Sequence, residues 1–260
     1  MNLQIITRRV TTRLAVRWIT DTFALLRKYP SLIGLSLLMY LVMLIGSSLP
    51  VANVLVPIVW PVMIAGFYQC VVDALQGKKP QVERLFGVFS QPLPRKHLLL
   101  LGCVRLLFLV PLAFLNLPVI DPNNINSVQN IHMELDTLLL LLGYFGLYTM
   151  LFAYAEPIVY FLGERRLGAV LRASLSASTK NMWPLTVYSL LLFAGLFMVV
   201  QVLILLSQLV PILAAAGILL LCVLMIPVVL ISFFLSFRDC FVLTPAEPAA
   251  DAAASDTFEV

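Results

Sequence analysis

Two residues of opposite charge stand where apolar sequence leaves least room for either. Arg105 lies within the run Leu98-Leu99-Leu100-Leu101-Gly102-Cys103-Val104-Arg105-Leu106-Leu107-Phe108, eight residues past His97. Glu156 precedes Pro157 in a second apolar run, nine residues before Arg165. A charge on a helix in hydrocarbon costs at least about 2.5 kcal/mol on insertion scales, so each needs a partner. At about 1.5 Å per residue both sit roughly 12 Å from the basic ends of their runs. Equal depth predicts an Arg105–Glu156 ion pair inside the bundle. Such a pair suits a proton or substrate relay, or it fixes how two helices pack. No second intramembrane acid lies at that depth, which favours the packing role.

Other groups carry less. His132, Glu134 and Asp136 form H-x-E-x-D, but a metal site needs three or four ligands held together. No metal and no cofactor are expected. Ser174, Ser176, Ser178 and Thr179 precede Lys180, yet Ala177 occupies the position that S-x-x-K requires to be Ser. The G-x-S-x-G, H-E-x-x-H and P-loop patterns are absent, and no catalytic residue is assigned. Asp73 and Asp239, near Lys78 and Arg238, are expected as interfacial ion pairs. Cys70, Cys103, Cys222 and Cys240 lie in or at the end of apolar runs and are expected to act as small hydrophobes.

The elements that position these residues follow from composition. The 260 residues are 61% hydrophobic and 12% charged, with mean hydropathy +1.00. Soluble domains carry about 25% charged residues, so a water-soluble globular enzyme is excluded. Six apolar runs fall at about 30–49, 52–75, 97–117, 137–162, 184–207 and 210–237. Each is long enough to cross a hydrocarbon core of about 30 Å. No clean apolar segment with a cleavage site interrupts the basic first 28 residues, so no cleavable signal is expected.

Lys and Arg are distributed unevenly. Six precede the first run, five lie in 76–96, four in 163–183, and Arg238 closes the sixth. The connections near 46–54, 116–136 and 207–211 hold none; Arg105 is the remaining one. Cytoplasmic loops retain Lys and Arg, so both termini are expected in the cytoplasm of a bacterial inner membrane. The basic excess is thereby assigned to orientation and not to nucleic acid.

A repeat is visible. Pro30 before the first run and Pro184 before the fifth follow basic residues, and each run has an amphipathic lead-in, 10–28 and 164–181. Pro61 lies twelve residues before Asp73, as Pro227 does before Asp239. The expected fold is an all-α bundle of six transmembrane helices in three helical-hairpin units, about 10–76, 80–162 and 164–242. Helix kinks are expected at Pro61, Pro157 and Pro227, where proline frees a backbone carbonyl. The acidic tail 243–260 is expected to be disordered.

In the stretch 10–28, Arg9, Arg13 and Arg17 share one face, beside a stripe of Val10, Leu14, Trp18 and Leu25. Basic and apolar stripes side by side suit a helix in the headgroup layer, with Trp18 at the lipid boundary. The alternative is a helix packed on the bundle. Arg9, Arg13, Arg17, Trp18, Lys78, Lys79, Arg165 and Arg166 are the expected lipid-facing set, meeting anionic headgroups at about 1 kcal/mol per basic residue.

The chain resembles an uncharacterised inner-membrane protein family of Gram-negative bacteria, about 250 residues long. The residues that carry the resemblance are Trp18 with Phe23 and Pro30, Ala65-Gly66 before Asp73, Leu85-Phe86, Ala173-Ser174 with Asn181, and Arg238-Asp239-Cys240-Phe241. It is more distantly similar to repeated-hairpin membrane domains attached to glycerophosphodiesterases. The resemblance implies an all-α integral membrane protein and hands over no substrate, cofactor or catalytic residue. The expected function is non-enzymatic, through membrane lipids or another membrane protein. The alternative is a small transporter built around Arg105 and Glu156.

Overall fold

The computed structural model describes residues 3–114 and 135–245. Those residues are almost wholly helical, in the order β1 (Leu3–Thr7), α1 (Arg13–Lys28), α2 (Ser31–Ser48), α3 (Pro50–Leu75), α4 (Val82–Gly87), α5 (Pro92–Leu109), α6 (Leu135–Phe152), α7 (Ala155–Phe161), α8 (Leu167–Lys180), α9 (Met182–Leu209), α10 (Pro211–Cys240) and β2 (Phe241–Pro245). Short 3-10 turns follow α4 and α5.

Among the described residues, five stretches are long and apolar enough to cross a membrane: Ser31–Ser48, Asn53–Leu75, Leu135–Phe161, Met182–Leu209 and Ile212–Cys240. The third run differs because α5 carries Arg95, Lys96 and Arg105 within its 18 residues. Two hairpins turn sharply. Only Leu49 separates α2 from α3, and only Val210 separates α9 from α10. In both, proline occupies the first helical turn, where its missing N–H breaks no hydrogen bond and its fixed φ suits the helix.

Lead-in helices lie against the outgoing helix of the preceding hairpin. The short α4 packs on α3, and α8 packs on α6 and α7. The first lead-in, α1, packs on the last helix, α10, which closes the chain into a ring. Its buried residues Ala15, Trp18, Thr22, Leu25 and Leu26 recur at the three- and four-residue spacing of one helix face. The apolar stripe read from the sequence therefore faces the bundle and not a headgroup layer.

Burial concentrates at the basic end. Residues 61–68 of α3 are buried, as is most of α10 from Val228 to Cys240. Most of the far half of α10 and most of α9 are exposed. Two glycines allow the close approaches at the core. A Cβ on Gly102 would lie 2.3 Å from the Ile58 carbonyl oxygen, and one on Gly66 would lie 1.9 Å from that of Leu85. Neither helix pair could come so close with a larger residue.

The chain ends are joined. β1 and β2 pair antiparallel from Leu3↔Pro245 to Thr7↔Phe241. Residues 243–245, read from sequence as the start of a disordered tail, belong to this ribbon because each strand supplies the other's backbone partners. The rest of the tail, 246–260, lies outside the described residues. Pro61 and Pro227 stand inside continuous helices. Pro57 is a further in-helix proline, and of the three expected kink positions only Pro157 sits beside an interruption.

Candidate functional site

Pro157 explains the gap between α6 and α7. Within one continuous helix its ring would meet the carbonyl of Ala153, and its nitrogen offers no N–H. The helix parts at Ala153 and Tyr154. Two serines of α8 take up the freed backbone groups. Ser174 and Ser178 both donate to the Met150 carbonyl, at 3.0 and 3.2 Å, and the Tyr154 N–H donates to Ser174 Oγ at 3.1 Å. Two of the residues that looked like a nucleophile cluster, Ser174 and Ser178, thus close a helix break. Thr179 bonds back to its own helix.

Beyond the break, Glu156 meets Arg105 of α5. Arg105 Nη1 lies 2.5 Å from Glu156 Oε1, with the carboxylate side chain 3% exposed and the arginine side chain 15%. The guanidinium carbon lies 5.2 Å from the Phe152 ring centroid and 5.9 Å from that of Tyr148, within cation–π range. The buried Arg105 Nε has no hydrogen-bond partner. A cleft of about 200 Å³ opens beside the pair, bordered by Tyr68 of α3 and Phe233 of α10. A larger apolar groove of about 580 Å³ runs between α6 and α9, past Phe145 and Phe193. Thr149, Ala153 and Phe233 line both.

The matched aspartates act as ties between elements. Asp73 Oδ2 lies 3.2 Å from Arg84 Nε of α4. Lys78, the neighbour expected from sequence, instead bonds Gln76, because the chain folds back to bring α4 over the end of α3. Asp239 receives Arg238 Nε at 3.1 Å and the Trp18 indole N–H at 2.9 Å. Trp18 is only 1% exposed, which removes it from the lipid-facing set. Its N–H needs an acceptor when buried, and Asp239 supplies one, while Tyr188 meets its ring edge-on at 6.0 Å.

The rest of the lipid-facing set is exposed: Arg9, Arg13, Arg17, Lys78, Lys79, Arg165 and Arg166. Arg166 pairs with Glu164, whose Oε1 also accepts the Arg165 and Arg166 backbone N–H groups. The Arg166 N–H is the main influence holding that carboxyl below the usual carboxylate range.

Asn181, which the sequence reading named only within the resemblance, received no structural role there. Fully buried, its side chain accepts the Val10 N–H at 2.9 Å and donates to the Arg8 and Ala177 carbonyls. Its place beside Lys180 disguised it as a polar lead-in. Cys103 and Cys222 are exposed and Cys70 and Cys240 buried, so the first pair are not the buried hydrophobes expected. His132 and Glu134 lie outside the described residues, and Asp136 accepts the Thr137 N–H. Among the described residues no three His, Cys, Asp or Glu side chains are grouped to hold a metal. No protein-family model, curated protein or solved structure matches the chain.

Proposed function

We propose that this chain is a six-crossing protein of the bacterial inner membrane, with both termini cytoplasmic, that acts without catalysis by holding anionic lipid at its basic end. The carrying observation is the division of its surface. The exposed arginines and lysines gather where the buried core and the chain ends lie, while the far flanks expose residues such as Ile212 (84%) and Phe193 (67%). Such flanks are compatible with acyl chains, and such an end with phosphate headgroups. We count α5 as the sixth crossing because its one deep charge, Arg105, is paired and covered by aromatic rings. The three units and the kinship with the repeated-hairpin inner-membrane family belong to this same reading. The ring in which each lead-in packs on the preceding hairpin supports it.

The test is lipid enrichment. Protein extracted into nanodiscs of mixed phosphatidylcholine and phosphatidylglycerol is expected to hold phosphatidylglycerol above its bulk share, with the excess falling at high salt. Equal shares at low salt, with no partner protein carried along at fixed stoichiometry, would overturn the reading.

The second reading, a small transporter, draws on the cleft beside Arg105 and its junction with the groove between α6 and α9. It requires that Arg105→Ala abolish a flux while the protein still folds and inserts.

A further inference from the structure

The two chain ends build a pocket that the sequence shows only as scattered arginines. Segment 8–11, the start of α1 and the end of α10 enclose about 430 Å³. The ribbon fixes its walls. The Arg8 N–H donates to the Cys240 carbonyl at 2.8 Å, and Asn181 holds Val10 and the Arg8 carbonyl. Arg8, Arg9 and Arg17 are thereby gathered around Arg238, some 220 residues away in sequence.

The charges in this pocket do not balance. Four arginines and two aspartates, Asp21 and Asp239, line it. Asp239 already receives Arg238 and the Trp18 indole. Among the described residues, Arg8, Arg9 and Arg17 have no carboxylate within 4.0 Å. Arginine's planar fork matches the oxygens of a phosphate in pairs, which a lysine cannot do. Val10 and Leu14 give the pocket an apolar lip, suited to the first carbons of an esterified phosphate.

We infer that this pocket binds one phosphate-bearing anion, held by Arg8, Arg9 and Arg17 with Arg238 at its floor. The inference rests on the lipid reading above only for the source of that phosphate. On that reading it is a phospholipid headgroup; the same chemistry accepts inorganic phosphate. Because the ligand would contact both the first and the last helix, its binding also strengthens the ring closure.

Native mass spectrometry of the full chain, released from nanodiscs of phosphatidylcholine doped with phosphatidylglycerol, tests this. Wild type is expected to keep one phosphatidylglycerol after the other lipids are stripped. R9Q/R17Q is expected to lose it, whereas R13Q/K79Q, exposed charges outside the pocket, keeps it. R17K separates the fork from the charge and is expected to weaken retention. All these residues are exposed, and an unchanged thermal midpoint in lipid-free detergent checks that each variant folds. A parallel titration with inorganic phosphate in pure phosphatidylcholine reads the other source. Phosphate that raises the midpoint of wild type but not of R9Q/R17Q supports the pocket, even where no phosphatidylglycerol is enriched; the membrane reading alone then falls. Enrichment lost equally in both double variants, with no phosphate response, overturns the pocket and leaves the membrane reading standing. R9Q/R17Q that retains the lipid as wild type does overturns it as well.

Discussion

A guanidinium inside an apolar helix is tolerable only with a partner at its own depth, and Arg105 has one in Glu156. Breaking a buried pair by removing one member leaves an uncompensated charge, at about 3–5 kcal/mol. Arg105→Ala and Glu156→Ala are each expected to destabilise by that order in detergent unfolding. The double variant is expected to recover most of the loss, giving a large coupling energy in the cycle. Additive losses would deny the pair its packing role. The pairing was legible because depth along two helices can be counted from the basic ends. Trp18 was misread for a matching reason: a stripe on a helix wheel is the same whether it faces lipid or protein. Asp73 was assigned to Lys78 by nearness in sequence, while its partner Arg84 comes from α4, beyond the turn.

Elements obey the same rules with longer reach. Composition and run length disclose the apolar helices, and the proline–aspartate spacing hints at units. Gly102 carried no signal, since a glycine in an apolar helix has many explanations. Its role depends on the Ile58 carbonyl of α3 lying where a side chain would stand. Gly102→Val is expected to separate α3 from α5 and cost about 1–3 kcal/mol by overpacking. Gly195→Val is the control, because a Cβ there meets nothing within 4 Å. Equal thermal midpoints for the two variants would show that the close crossing is dispensable. The break before Pro157 is written in the sequence by the proline. The serines that satisfy it are not, because they arrive from another helix.

At the scale of the whole molecule, what the sequence hides is closure. Five-residue strands at opposite ends of the chain give too little alternation to read, and nothing local says that Arg8 meets Arg238. The proposed orientation, by contrast, rests on where Lys and Arg are counted. The proposed lipid-holding role depends on that orientation and on six crossings. It is tested most directly by cysteine accessibility in cells, with the exposed Cys103 and Cys222 first replaced by serine. Single cysteines at Ser47, Ser127 and Arg166 would be treated with a membrane-impermeant maleimide. S47C and S127C are expected to react from outside in spheroplasts, and R166C only after lysis. R166C reacting from outside would contradict the cytoplasmic basic end, and S127C protected until lysis would contradict the sixth crossing.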